Sequence, residues 1–367
     1  MTIPFVDLKA QYLNIKSEVD VAVDSVFENS VFVGGHFVTE FEKSFSEFYN
    51  INHCIGVGNG TDALFLILKA LGIGPDDEVI TPAHSWISTA ETISYVGATP
   101  VFVDVDNLYY TIAVESILPK INPKTKAVIV VHLFGQAAPV IEIAELCKKH
   151  NLFLIEDCSQ AHLTQEGNQL VGKFAVASAF SFYPTKNLGA YGDAGCVITS
   201  DTNLALKIRR LANHGGLHKD EHLMEGINSR LDSLQAAFLS VKLRHLRKWT
   251  DQRIQNATLY KSLLKDAQEV SLPSVRIGTK HSFHLFAIKV KQRDELKSFL
   301  RTCGIQTMIH YPTALPFEPA YVFLKHKPEE FPVALALSHE ILSLPIYPEL
   351  SEEQITFVCE KIREFYR

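Results

Sequence analysis

Ala127-Val-Ile-Val-Val-His-Leu133, Val140-Ile-Glu-Ile-Ala-Glu-Leu-Cys-Lys-Lys-His150 and Phe153-Leu-Ile-Glu-Asp157 follow one another along the chain. Their order decides the fold. The first and third runs are apolar almost throughout rather than alternating, as in strands covered on both faces. The middle run has helical spacing. A strand, a helix and a second strand of this kind make a parallel pair with its crossover helix. Working outward, His53–Val57, Glu78–Pro82, Pro100–Val105, Ser178–Phe182 and Gly195–Thr199 continue the strand pattern, and Asp62–Leu71 continues the helical one. The expected core is an α/β unit around a largely parallel sheet.

Upstream, Tyr12, Ile15, Val19, Ala22, Val23 and Val26 mark one amphipathic helix, and Phe37, Phe41, Phe45 and Phe48 the stripe of a second. Downstream of Leu231 a long helix runs to about Leu264. The pattern then changes to strand (Ser282–Val290), helix (Arg293–Cys303), strand (Gln306–Tyr311), a Pro-rich stretch, and a last helix from Ser351. This predicts a large domain with an N-terminal arm over residues 1–245 and a small α+β domain over 246–367.

The 367 residues are 47% hydrophobic and 21% charged, with a net charge of −6, an ordinary globular composition. No basic face offers itself to nucleic acid, and no apolar run is long enough for a membrane span. The opening Met1-Thr-Ile-Pro-Phe5 has neither a basic region nor an apolar signal core. Six cysteines (Cys54, Cys147, Cys158, Cys196, Cys303 and Cys359) form no Cys-x-x-Cys, so neither a disulfide scaffold nor a zinc ribbon is expected. A cytoplasmic enzyme is the expectation.

Three segments carry chemistry. Gly58-Asn59-Gly60-Thr61-Asp62-Ala63 stands after a strand and before a helix, where free amides bind phosphate. The acid that would hold a dinucleotide ribose is missing after the next strand, which ends Thr81-Pro82-Ala83-His84. Ile155-Glu156-Asp157 ends a strand in acid, where a parallel sheet faces its ligand crevice. Cys158 and His162 have metal-like spacing, but two ligands make no site, and no metal is expected. In Ser178–Gly195 a single lysine, Lys186, sits in a glycine-punctuated loop five residues after Ser181. Burial would depress its pKa and make it a nucleophile toward a carbonyl. A Schiff-base amine, an acid for a pyridinium and an anion cradle are together the parts that pyridoxal phosphate requires.

The same residues resemble the DegT/DnrJ/EryC1/StrS family of sugar aminotransferases. The likeness runs from Pro4-Phe-Val-Asp7 through Gly60-Thr61-Asp62 and Ile155-Glu156-Asp157 to Ser181-Phe-Tyr-Pro-Thr-Lys186. It continues in Asn228-Ser-Arg230, His310-Tyr311-Pro312 and Leu342–Pro348. The resemblance implies the aspartate-aminotransferase (type I) fold, with a mostly parallel seven-stranded sheet and a smaller C-terminal domain. It implies that Lys186 forms a Schiff base with pyridoxal 5′-phosphate and that Asp157 pairs with the pyridine nitrogen. Gln160 would meet the ring or its hydroxyl, Trp86 would stack on the ring, and Gly60, Thr61 and Ser181 would hold the phosphate. Asn228 would reach the phosphate from the partner subunit of a homodimer. Arg230, His310 and Tyr311 would meet a nucleotide-linked keto sugar, with L-glutamate as amino donor and ping-pong order. Where relatives carry a histidine after Tyr-Pro-x-x-Leu, this chain has Pro316, which removes one expected substrate contact.

The string Asn228-Ser-Arg-Leu-Asp232 resembles the branch that aminates 3-keto sugars, so C3 of a dTDP- or UDP-linked deoxysugar is expected, in amino-sugar or O-antigen synthesis. C4 amination is the alternative. A dehydratase on the same scaffold would carry histidine at position 186, and a non-catalytic cofactor-binding regulator could dispense with Lys186 and Asp157.

Overall fold

In the computed structural model, residues 2–367 are described. Two helices open the chain, α1 (Leu8–Asn29) and α2 (Gly35–Tyr49). A strand–helix alternation follows: β1 (His53–Val57), α3 (Gly60–Ala70), β2 (Glu78–Pro82), α4 (Ser88–Tyr95), β3 (Thr99–Val103), β4 (Thr125–Val131), α5 (Val140–His150) and β5 (Phe153–Asp157). After a short hairpin, β6 (Gln165–Glu166) and β7 (Gln169–Leu170), come β8 (Ala177–Ser181), β9 (Gly195–Thr199) and α6 (Thr202–Ala212). The 32-residue helix α7 (Ser233–Leu264) then leads into the C-terminal part. That part holds β10 (Val270–Ser271), β11 (Thr279–Lys280), β12 (Phe286–Val290), α8 (Arg293–Thr302), α9 (Pro332–Glu340), β13 (Ile341–Leu344) and α10 (Glu352–Phe365).

The large sheet has seven strands in the order β1-β9-β8-β5-β4-β2-β3. Only β9 runs against its neighbours; β8, β5, β4, β2 and β3 pair in parallel. The apolar runs are explained by burial on both faces. Ala127 and Ile129 of β4 join α3 and α6 in one core layer. Val128 and Val130 pack with α5 on the other side. In β8, Ala177 and Ala179 face α3, and Phe180 enters an aromatic cluster with Phe41, Phe45 and Tyr49 of α2. Tyr49, fully buried, completes the stripe of α2, while Phe48 is half-buried.

The C-terminal sheet is ordered β10-β12-β13, which corrects the expected strand over Gln306–Tyr311. That segment makes one isolated antiparallel bridge, Met308 with Ser343. Its start pairs instead with the N-terminus, where Gln306 N–H donates to the Ile3 carbonyl at 3.0 Å, so a continuous ladder with β13 never forms. The strand expected over Ser282–Val290 is also shorter. Ser282 and Leu285 give their N–H groups to the Gly135 and Phe134 carbonyls, which binds this stretch to the loop after β4. The core of the C-terminal sheet takes in Ile3 from the chain start and Ala257, Tyr260 and Leu264 from α7. Position 245 lies inside α7, which thus serves both cores. Ser351 caps α10, exchanging bonds with Gln354.

Candidate active site

The parallel strands end on one side of the large sheet, and their last residues and following loops build a cleft of about 590 Å³. At one end stands the N-terminus of α3. The Asn59 side chain caps it, accepting the Asp62 N–H at 2.8 Å. The amides of Gly60 and Thr61 have no intrahelical acceptor and are free for an anion. Position 60 must be small: a Cβ there would lie 2.7 Å from the Ser181 Cβ. The hydroxyls of Thr61 and Ser88 meet at 2.7 Å, with Ser88 donating onward to Glu91.

Asp157 ends β5, between Val131 of β4 and Ala179 of β8. Its carboxylate accepts the Ser159 N–H at 3.0 Å and the Thr89 hydroxyl at 3.3 Å, and Thr89 in turn meets Ser85 at 2.9 Å. Strand alternation turns Glu156 to the opposite face. There it accepts from the N–H groups of Gly172, Phe174 and Ala175, from the Ser178 hydroxyl, and from His132. The Ala138 N–H donates to His132 Nδ1, so the His132 proton sits on Nε2 and points at Glu156. Glu156 is saturated and plays no part in the cleft.

Among the described residues, the one grouping of metal-ligating types is His132, Glu156 and Cys158. Its lone pairs are committed to those hydrogen bonds, and burial with two neighbouring carboxylates holds the Cys158 thiol well above its usual range. Cys158 and His162 are both buried, and among the described residues neither ring nitrogen of His162 has a partner. Burial and the Lys186 charge lower His162 to about 3, so it is neutral.

Lys186 lies in the loop between β8 and β9, half-buried in the cleft wall. A turn places it, its N–H donating to the Tyr183 carbonyl at 2.8 Å. Burial lowers its amine to about 8, against the opposing pull of Asp157. Across the cleft stand His310 and Tyr311. Gln160 ties this wall to the large sheet, accepting the Phe134 N–H at 2.7 Å and donating to the Tyr311 hydroxyl at 2.8 Å. The Tyr311 ring lies 5.6 Å from exposed Trp86, at the rim. His310 bonds Ser343 at 2.9 Å and stacks on Phe5, and burial lowers it to about 4. His84 donates Nε2–H to the His310 carbonyl at 3.2 Å.

Nine of the eleven expected site residues thus line one cleft: Gly60, Thr61, Trp86, Asp157, Gln160, Ser181, Lys186, His310 and Tyr311. Asn228 and Arg230 do not. Both are exposed outside it, flanking buried Ser229, which bonds Asp62 at 2.6 Å and the Gly58 N–H at 3.0 Å. Pro316 is buried under a turn, where the Leu315 N–H donates to the Ala83 carbonyl, and is not part of the lining. Sequence reasoning missed Thr89 and His284. The Ser/Thr-dense run Ser85–Thr92 was the available signal for the first. Nothing local marks His284, which reaches the cleft from the far side of the chain. Its Nδ1 lies 3.2 Å from the Asn187 side-chain oxygen.

The donor set fits pyridoxal phosphate. Free helix amides and hydroxyls stand at one end, an acid braced by two donors at another, and an amine of lowered pKa between them, in a cleft where position 60 leaves room only for glycine. Fold and site together define a pyridoxal-phosphate aminotransferase. The chain belongs to the DegT/DnrJ/EryC1/StrS aminotransferase family, whose model matches residues 13–363. It is 44% identical to a "pleiotropic regulatory protein" of Geobacillus stearothermophilus, over 100% of this chain and 99% of that one. It is 41% identical to the UDP-N-acetyl-3-dehydro-α-D-glucosamine 3-aminotransferase of Acidithiobacillus ferrooxidans, over 98% and 97%. Among solved structures, S. venezuelae DesV, in complex with a ketimine intermediate, superposes with a TM-score of 0.97 at 38% identity, over 99% and 98%. Among the described residues no helix is long and apolar enough to cross a membrane.

Proposed function

We propose that the protein transfers an amino group from L-glutamate to the C3 ketone of a nucleotide-linked deoxysugar. The observation that carries the reading is the joint presence of Lys186 and Asp157 in one cleft with the α3 amides. A regulator that only binds the cofactor has no use for a deprotonatable lysine there, which speaks against carrying over the regulatory name of the Geobacillus relative. The name of the Acidithiobacillus relative, a 3-aminotransferase of a 3-dehydro sugar, supports the C3 assignment.

When bound, pyridoxal phosphate supplies a carbonyl that takes up the amino group and a ring that spreads carbanion charge. The amides of Gly60 and Thr61 and the Ser181 hydroxyl would bind the phosphate. Asp157 would hold a proton at the ring nitrogen, its own orientation fixed by Ser159 and Thr89. Lys186 Nζ, with its amine lowered to about 8, is a free base in an appreciable fraction of molecules near neutrality. With the cofactor bound, it would take the proton from the glutamate Cα and deliver it to the carbon that carried the cofactor's aldehyde, and would run that order backwards in the second half-reaction. Trp86 and Tyr311 shield the cleft mouth from water. His310, as a neutral ring, and Tyr311 meet the nucleotide sugar inside the cleft, whereas Arg230, exposed outside its own chain's cleft, would meet it only from the partner subunit.

The assembly we propose is a cytoplasmic homodimer in which Asn228 of one chain completes the partner's phosphate site. Supporting it, Phe27 and Phe32 pack edge-on at 5.5 Å yet stay exposed, and Val33 beside them is half uncovered. The functional test is to incubate the enzyme with glutamate and 3-keto or 4-keto nucleotide sugars and to assign the product by NMR. An amine at C3 is expected. Turnover of the 4-keto sugar alone refutes the position, and no turnover of any keto sugar refutes the activity.

A further inference from the structure

α7 runs past the back of the loop that carries Lys186 and presents Gln235 and Lys242 to it, seven residues apart and so on one helix face. Gln235 accepts the Tyr191 N–H at 2.8 Å. Lys242 donates from Nζ to the Gly189 carbonyl at 2.7 Å, and its amine sits 3.6 Å from the centre of the Tyr191 ring. Lys242 is entirely buried, and among the described residues no carboxylate pairs with it. Burial alone lowers it to about 7. A buried lysine without a counter-charge is costly, and methionine would fill the same space without that cost. The return for this chain is the hold on Gly189.

That carbonyl is a sensitive point of the loop. Ala190 N–H donates to the Phe182 carbonyl at 2.7 Å, closing the loop, and Lys186 N–H is bound to Tyr183 within it. Gly189 is packed so tightly that a Cβ would stand 2.3 Å from the Pro184 carbonyl oxygen. A loop closed and packed in this way moves as a piece. Displacing Gly189 therefore displaces Lys186, three residues earlier. Further along the same helix, Arg253 Nη1 donates to the carbonyls of Phe283, His284 and Ile346 at 3.3, 3.3 and 2.9 Å, so α7 also holds the wall that faces Lys186.

We propose that Lys242 is a positioning residue which, by holding the Gly189 carbonyl, sets the depth at which the Lys186 amine sits in the cleft. The proposal rests on the reading of Lys186 as the proton-transferring amine. Its test uses Lys242→Met, which keeps the volume and removes the donor. The enzyme is loaded with pyridoxamine phosphate, so that Lys186 is a free amine, and the rate of its reductive methylation is followed by peptide mass spectrometry from pH 6 to 10. A Lys186 freed toward solvent regains an ordinary lysine pKa, so the midpoint moves upward by about one pH unit relative to wild type. In parallel, kcat with glutamate falls by about 10- to 100-fold while KM changes less than about threefold, since misplacement of order 1 Å is felt in the chemical step.

An unchanged midpoint together with an unchanged kcat overturns the proposal. So does a lowered melting temperature with both readouts intact, which would mark Lys242 as packing alone. If Lys242→Met does not fold, Gln235→Met loosens the same loop end and is judged on the same two readouts, with no change again overturning it. Failure of the underlying Lys186 reading shows separately, as turnover by Lys186→Ala, because the methylation midpoint is independent of turnover.

Discussion

Lys186 should destabilise the cofactor-free fold that it equips for catalysis. Its amine falls from 10.5 to about 8 because folding takes it out of water, and the attraction of Asp157 only partly offsets this. Below pH 8 the chain carries that proton both folded and unfolded, and the folded state bears the whole penalty of a desolvated charge. Between about 8 and 10.5 the folded chain releases the proton while the unfolded chain retains it, so stability rises with pH across the window. The shift corresponds to an upper bound of about 3 kcal/mol at pH 7. Solvent at the half-buried amine screens it, and about half of that is the working figure. Lys186→Met should therefore stabilise the cofactor-stripped protein by about 1–2 kcal/mol at pH 7, raising Tm by a few degrees. By pH 9.5 only roughly half of the advantage should remain. The assay is urea or thermal unfolding of both stripped proteins at pH 6.5, 8 and 9.5. A variant less stable than wild type at pH 7, or an advantage that does not decline with pH, would refute the reasoning. The same variant should have no measurable transamination.

Asp157→Asn should still bind cofactor but slow the half-reaction with glutamate by at least ~100-fold in stopped flow, about 2.8 kcal/mol of barrier. A near-normal rate would move the pyridinium role elsewhere. Glu156→Gln should leave that rate alone and instead lower Tm, since it strips charge from a buried carboxylate with five donors. Gly60→Ala should weaken cofactor binding by about 10- to 100-fold with the fold intact by circular dichroism, because the new methyl collides with Ser181; unchanged affinity would place the phosphate elsewhere. Mixing inactive Lys186→Ala with inactive Asn228→Ala and allowing subunit exchange should restore part of the activity, and no recovery would confine the site to one chain.

The cofactor end of the site was largely legible from the chain because its residues sit at element boundaries that have local signatures. Gly60 opens a helix after a strand, Asp157 closes an apolar run, and Lys186 follows β8, the next strand of the large sheet. Sequence placed the strands of the large sheet within about two residues, since full burial on both faces leaves unbroken apolar runs. The small sheet was harder. Gln306–Tyr311 carries the β-prone Thr307, Ile309 and Tyr311, yet its hydrogen bonds are divided between Ile3 and Ser343, partners that the segment's own pattern cannot disclose.

By itself, then, the sequence determined an α/β unit, a helix start with free amides after a strand, a strand ending in two acids and a lone loop lysine, because short-range periodicity and strand ends encode them. Only tertiary structure decided which acid of Glu156 and Asp157 faces the cleft, for alternation sets them on opposite faces without saying which face is open. It alone brought in His284 from β12's approach and Thr89 from α4, and left Asn228 and Arg230 outside. It alone buried Lys242, a residue that on its helix reads as one more solvated cation. Those outcomes depend on contacts between segments tens to hundreds of residues apart, and a contact of that range leaves no periodicity in either segment.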